Sequence, residues 1–266
     1  MVPPEEFHLT IAASPANLAA IADFIADAAR AWELSAQETY DIQIAVDEAC
    51  TNIIEHGYRG DERGQIDLTC RLRGARFVVI IRSGGGRWDP DAVPEPDVTA
   101  SIEDRPVGGL GLYLMRRLMD AVRFEFGEGE NLLTMEKQLA PIVVRRTMSS
   151  SSERARTILP RGRIDMALAP DLESALEKIW EDRPCCVIVN LALATYIGSA
   201  GLKALLGALR RAQAEGVPLA LCCVRPPVHR SMYLAGFTSL FDIFDDEAAA
   251  AQALCLGEGA VEDGET

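Results

Sequence analysis

Apolar positions along this chain recur with two periods, and the rhythm changes once. Residues 6–12 (EFHLTIA) read as a strand, and residues 15–31 and 36–56 as helices separated by Trp32-Glu33-Leu34-Ser35. Ser35 followed by Glu38 forms a capping box for the second helix, in which each residue satisfies an amide that the helix leaves free. Strands follow near 65–73 and 76–82, with Gly74 supplying the turn. Residues 83–109 are rich in Gly, Pro and Asp and have little periodicity; so long a loop in a compact domain is expected to be functional or mobile. A helix over 110–121 and strand-like runs at 121–126 and 132–138 close this half. Helices mixed with adjacent hairpins predict an α/β (α+β) sandwich, with helices on one face of a mixed sheet.

The pattern breaks at residues 140–156, APIVVRRTMSSSSERAR, where four serines and a basic cluster mark a linker or a domain's first edge. Strand 156–160, helix 168–181, strand 185–191, helix 199–214, strand 217–223, helix 226–235 and a final helix near 245–255 then alternate. This rhythm predicts a small sheet with helices packed on it. The polar ending GEGAVEDGET reads as frayed. The expected domains are residues 1–140 and 155–266, with 141–154 as linker or domain edge.

Composition narrows the picture. A length of 266 residues with 48% hydrophobic content suits two ordinary domains. A net charge of -14 repels polyanions, so neither nucleic acid nor an anionic membrane surface is expected as a direct partner. The start MVPPEEFHLT lacks a basic region followed by an apolar one, and no window approaches a membrane span, so a cytoplasmic location is expected. Seven cysteines include the pairs Cys185-Cys186 and Cys222-Cys223 in apolar, strand-like runs. Strand neighbours point to opposite faces, so neither pair is expected to grip one metal, and reduced core thiols are the expectation.

Three segments of the first half carry candidate chemistry. In DEACTNIIEHGY (47–58), Glu48 and Asn52 stand four apart and share a helix face. An amide oxygen suits Mg²⁺ beside phosphates, and a carboxylate can take a proton from an attacking hydroxyl. Taken alone, the pair also fits the solvated side of an amphipathic helix. Ser83-Gly84-Gly85-Gly86 follows an apolar strand, where glycines let backbone approach a ligand or merely turn. GGLGLYLMRRLMD (108–120) opens a helix with glycines, whose free amides attract phosphate.

Order and spacing together make this half resemble the GHKL ATPase superfamily, specifically its anti-sigma-factor serine kinases, over roughly residues 5–139. DEACTNIIEHGY is similar to that family's Asn-containing box, GGLGLYLMRRLMD to its second glycine box, and NLLTMEK (131–137) to its closing strand. The resemblance implies ATP and Mg²⁺ as cofactors, Glu48 as catalytic base and Asn52 as Mg²⁺ ligand. It places Gly109 and Gly111 against the phosphates and Ser83 and Gly85 at the nucleotide. The family's first glycine box begins with an Asp that accepts a hydrogen bond from the adenine amino group. Here that position is Ser83, a neutral and weaker acceptor.

In the second half, Arg161-Gly162-Arg163-Ile164-Asp165 ends a strand, and Asp165 suits a turn or cap. Ser199, in Ile197-Gly198-Ser199-Ala200-Gly201-Leu202, falls where an amphipathic helix begins. It can serve as an N-cap, or as a phosphate acceptor whose new charge rewrites a docking surface. From about 155 to 254 this half resembles the STAS domain of anti-sigma-factor antagonists, carried by the GRID and IGSAGL segments and the run VRPPVHRSMYLAGFTSLF (224–241). The resemblance makes Ser199 the phosphorylation site, although Gly198 stands where antagonists carry Asp. The expected function is a partner-switching regulator of a bacterial sigma factor: a serine kinase domain joined to an antagonist-type substrate domain. Its partners would be an antagonist, a sigma factor or an anti-sigma protein, with dimerisation through the N-terminal domain implied by the family only. The alternative is a binding module that competes for these partners without catalysis.

Overall fold

A computed structural model describes residues 2–59, 61, 63–86, 109–147 and 154–255. The loop 87–108, the Ser149–Ser152 run and the acidic tail expected to fray lie outside the described residues. The chain divides into two compact units, residues 4–139 and residues 140 onward.

The first unit holds β1 (Glu6–Ala12), α1 (Leu18–Ala31), α2 (Ala36–Asn52), β2 (Gln65–Arg73), β3 (Arg76–Ser83), α3 (Leu110–Leu118), β4 (Ala121–Phe126) and β5 (Asn131–Gln138). The Ser35–Glu38 capping box forms in full at the start of α2. The helix expected over 36–56 keeps its α-geometry only to Asn52 and continues through a π-type turn, Ile53–Gly57. The sheet order is β1-β2-β3-β5-β4. The α/β sandwich is present, but every described pairing in this sheet is antiparallel, not mixed. The cause is local: β2–β3 and β4–β5 are hairpins, and β5 returns beside β3 with its direction reversed. Ile66, Leu68, Phe77, Val79, Ile81, Leu133 and Met135 alternate onto a buried face. Trp32 stands edge-on to Phe7 and Phe77, at 5.0 and 5.5 Å between centroids.

The second unit holds β6 (Ile142–Arg146), β7 (Ala155–Pro160), β8 (Gly162–Ile164), α4 (Ala169–Glu181), β9 (Cys186–Asn190), β10 (Ala194–Ile197), α5 (Ser199–Glu215), β11 (Leu219–Cys222), α6 (Pro226–Leu234), β12 (Asp242–Phe244) and α7 (Glu247–Cys255). Its main sheet, β12-β11-β9-β7-β6, is parallel except for β6, which pairs antiparallel with β7 at one edge. Thus residues 142–146, in the stretch read as linker or domain edge, form an edge strand. Strand β9 is wholly buried, with Val187 and Val189 in the core beneath α4 and α5, and Ile188 in a smaller cluster with Ala250 and Ala251 of α7. Burial on both faces explains its unbroken apolar run.

Cys222 and Cys223 share that smaller cluster, against the expectation of opposite faces. Cys223 lies past the end of β11 with φ 54°, so strand alternation no longer governs it. Cys186 is disulfide-bonded, which departs from the reading of reduced thiols throughout. Among the described residues no helix is long and apolar enough to cross a membrane.

Candidate nucleotide site and phosphate acceptor

The end of α2 and the start of α3 meet at Gly111. A Cβ on that glycine would lie 2.4 Å from Glu48 Oε2 and 3.4 Å from Asn52 Nδ2. Two motifs about sixty residues apart therefore converge on one spot, where an added Cβ would force the Glu48 carboxylate to move. Gly109 caps α3 with φ 80°, in the left-handed region that favours glycine. The first turn of α3 carries no acidic residue, so its free amides keep their attraction for an anion. Burial, then the neighbouring charges of Asp47 and Glu55, push the Glu48 carboxyl above its ordinary value. That shift makes Glu48 a stronger base. The cradle around Gly111 and the paired carboxylate and amide fit a phosphate chain with a hard cation.

The glycine loop after β3 is tied down from both sides. The Gly84 amide donates to the Tyr58 hydroxyl at 2.7 Å, and that hydroxyl donates to the Gln65 carbonyl at 2.6 Å. The Gly86 amide donates to the Gly57 carbonyl at 2.8 Å. Gly85 lies so close that a Cβ there would come within 2.8 Å of the Gly57 carbonyl carbon. From the other side, Asn131 Nδ2 donates to the carbonyls of Gly85 and Gly86, at 2.8 and 3.3 Å. The π-type turn after Asn52 thus places the Gly57-Tyr58 backbone where the loop needs it.

Between these elements lies a cavity with about 490 Å³ of free space, mouth included. Ala49, Asn52, Ile53 and Gly57 line one side; Ile81, Ser83, Gly86, Met115, Phe124, Phe126, Asn131, Leu132 and Leu133 complete it. Ser83 is buried at the end of β3. The Phe124 and Phe126 rings are near parallel, with centroids 6.3 Å apart. Apolar and aromatic walls with a few polar groups suit a flat heterocycle. The structure brings Asn52 and Ser83 to this cavity, and Glu48 and Gly111 to each other beside it. Tyr58 and Asn131 lie in the Asn-containing box and the closing strand without a role assigned from sequence, and Phe124 and Phe126 fall outside every quoted motif. The Phe-Glu-Phe alternation of β4 was a usable signal for the two rings, whereas the roles of Tyr58 and Asn131 depend on strand register.

In the second unit Ser199 is exposed and opens α5 as its first residue. The cap position falls to Gly198, with φ -100° and ψ -178°, and no side chain caps this helix. The N-cap role considered for Ser199 is therefore not its role, because the extended residue lies one position earlier. Gly201 lets α5 approach β8: a Cβ there would lie 2.7 Å from the Ile164 carbonyl oxygen. Asp165 accepts from the Ala167 amide at 3.1 Å, starting the turn after β8. Arg163 stacks over the Tyr196 ring at 4.0 Å, and that ring faces Gly198.

Comparison with known proteins adds to this geometry. The model of the histidine kinase-like ATPase domain matches residues 11–137, and that of the STAS domain matches residues 150–250. The serine-protein kinase RsbW of Halalkalibacterium halodurans is 34% identical over 140 residues, covering 51% of this chain and 85% of that protein. RsbW of Bacillus cereus strain AH820 is 31% identical over 133 residues, covering 48% of this chain and 82% of the relative. The crystal structure of an anti-sigma factor antagonist from Mycobacterium paratuberculosis is 25% identical, covers 43% of this chain and 97% of its own, and aligns with a TM-score of 0.38.

Proposed function

This chain belongs to the family of RsbW-type serine-protein kinases, with a STAS domain after its ATPase-type domain, and from that premise we propose a cytoplasmic partner-switching regulator of a sigma factor that phosphorylates an antagonist-type STAS domain. The proposed kinase domain spans residues 1–140 and the STAS domain residues 155–266. ATP with Mg²⁺ is assigned to the first domain. When bound, it supplies the phosphoryl group and the metal charge that neutralises it. Asn52 would offer its side-chain oxygen to the cation, Gly109, Gly111 and the free amides of α3 would hold the phosphates, and Ser83 and Gly85 would serve the base. Glu48 accepts the proton of the attacking serine hydroxyl.

The observation that supports this reading best is the convergence of Glu48 and Asn52 on Gly111. A purely structural helix pair has no need for a carboxylate and an amide on the one glycine of its neighbour. The acceptor is Ser199, in the same chain or a second copy, or the matching serine of a separate antagonist. Its hydroxyl is exposed at a helix start, where the dipole favours added negative charge.

Labelled ATP and Mg²⁺ added to the purified chain, alone and with a candidate antagonist, test the proposal. Phosphate on Ser199 or on the antagonist, lost in Glu48→Gln, is the expected result. Equal labelling by Glu48→Gln, or phosphate confined to Ser149–Ser152, would overturn it. The second reading, a non-catalytic binding module, is favoured by the neutral Ser83 and by Gly198 before the acceptor serine. It predicts no MgATP binding in a calorimetric titration.

A further inference from the structure

Resting on the nucleotide site just proposed, we infer that Asn131 is the specificity-determining residue for the base, its side-chain oxygen accepting a hydrogen bond from the 6-amino group of a purine. Asn131 on β5 stands directly opposite Ser83 on β3, and both line the same cavity. Its amide orientation follows from its partners. Two carbonyl oxygens, of Gly85 and Gly86, lie within hydrogen-bond distance of one side-chain atom. Only the NH₂ group can donate to both, so that atom is nitrogen and the oxygen is left over. No described residue donates to that oxygen.

The polar groups in the cavity then divide by role. Asn52 belongs to the end near Glu48 and Gly111. Ser83 is a hydroxyl, which rotates and can donate or accept, so it accommodates an amino or a keto edge alike. Asn131 has no such freedom. With its nitrogen held by the glycine loop, it presents an acceptor only. An acceptor on a cavity also lined by Ile81, Met115, Phe124 and Phe126 pairs with the exocyclic amine of adenine and repels the O6 of guanine. Holding the loop and reading the base are thus the two ends of one side chain.

The test is a set of calorimetric titrations of the full chain in Mg²⁺ with ATP, GTP and purine riboside triphosphate, which lacks the 6-amino group. One neutral hydrogen bond corresponds to about fivefold in affinity. The parent is expected to bind ATP about fivefold more tightly than the 6-unsubstituted analogue, and GTP more weakly still. In Asn131→Ala the preference for ATP over the analogue should vanish, while Ser83→Ala keeps it. Asn131→Asp retains an acceptor but loses the donor to the loop, so all three nucleotides weaken while the preference survives. A preference that persists in Asn131→Ala, with all three weakened alike, would reduce Asn131 to a loop clamp and overturn the inference. Equal binding of the three by the parent overturns it too, while leaving the nucleotide site intact. If the parent binds none of them, the nucleotide reading itself fails, and the inference with it.

Discussion

At Glu48, burial and neighbouring charge act on a single carboxyl in the same direction. Its raised pKa means the proton is released at a higher pH than from an ordinary glutamate. A general base works only when deprotonated. Phosphoryl transfer is therefore expected to fall as pH drops through that raised value, and rate measurements at saturating ATP across pH 4–8 check this. The same shift has a thermodynamic side. A carboxyl whose folded pKa lies above its unfolded value favours the fold when protonated, and that contribution is lost as pH rises through the folded pKa. At neutral pH Glu48 therefore costs stability, and Glu48→Gln should melt slightly higher than the parent while losing transfer. A second residue-scale prediction concerns Gly111→Ala. Alanine favours a helix by roughly 1 kcal/mol over glycine, so α3 itself gains. Its Cβ would nonetheless displace the Glu48 carboxylate, and a base moved by about 1 Å can cost on the order of a hundredfold in rate. Normal melting with a large loss of kcat is the expected pair of results; an unchanged kcat would separate Gly111 from the catalytic carboxylate.

Elements were legible to unequal degrees. Strands β1 to β3 and the helices α2, α4 and α5 announce themselves by period and by the Ser35 cap. Strands β8 and β12, of three residues each, are too short for any period to show. Strand β6 hid in a run beside four serines and a basic cluster, because pairing at a sheet edge demands little of its outer face. The contact of α5 with β8 rests on Gly201, and its neighbour is a backbone oxygen that cannot swing aside. Gly201→Val should thus push the helix off the strand and destabilise the second unit by roughly 1–3 kcal/mol. Denaturant melts of both proteins measure this, and an unchanged midpoint would show that the helix can shift without loss.

At the scale of the whole molecule, the acidic balance of the composition includes a carboxylate tied into a network that spans several strands. Glu247, its side chain 12% exposed, receives two hydrogen bonds from Arg145 at 2.8 and 2.9 Å, one from Thr157 at 3.0 Å and one from Asn190 at 3.1 Å. Burial pushes its pKa up, but the Arg145 guanidinium and the bonds from Asn190 and Thr157 outweigh this and hold it below the ordinary 4.5. A depressed folded pKa contributes stability that is present above the unfolded value and lost as pH falls through the folded one. Thermal unfolding of the second unit should therefore weaken below about pH 4.5, and Glu247→Ala should cost on the order of 3 kcal/mol at pH 7, with a flatter acid limb. A variant whose acid limb matches the parent's would rule Glu247 out as the source. The sequence by itself determined the two-part organisation, the helix and strand periods, and the residue types of the candidate site. Periodicity and capping are local, and Glu48 and Asn52 share a helix face at any fold. Only the tertiary structure decided that Gly111 lies on both of them, that Tyr58 and Asn131 hold the glycine loop, and that Glu247 gathers three strands. Those contacts join residues from 26 to 102 positions apart, through strand register and helix approach that no local period encodes.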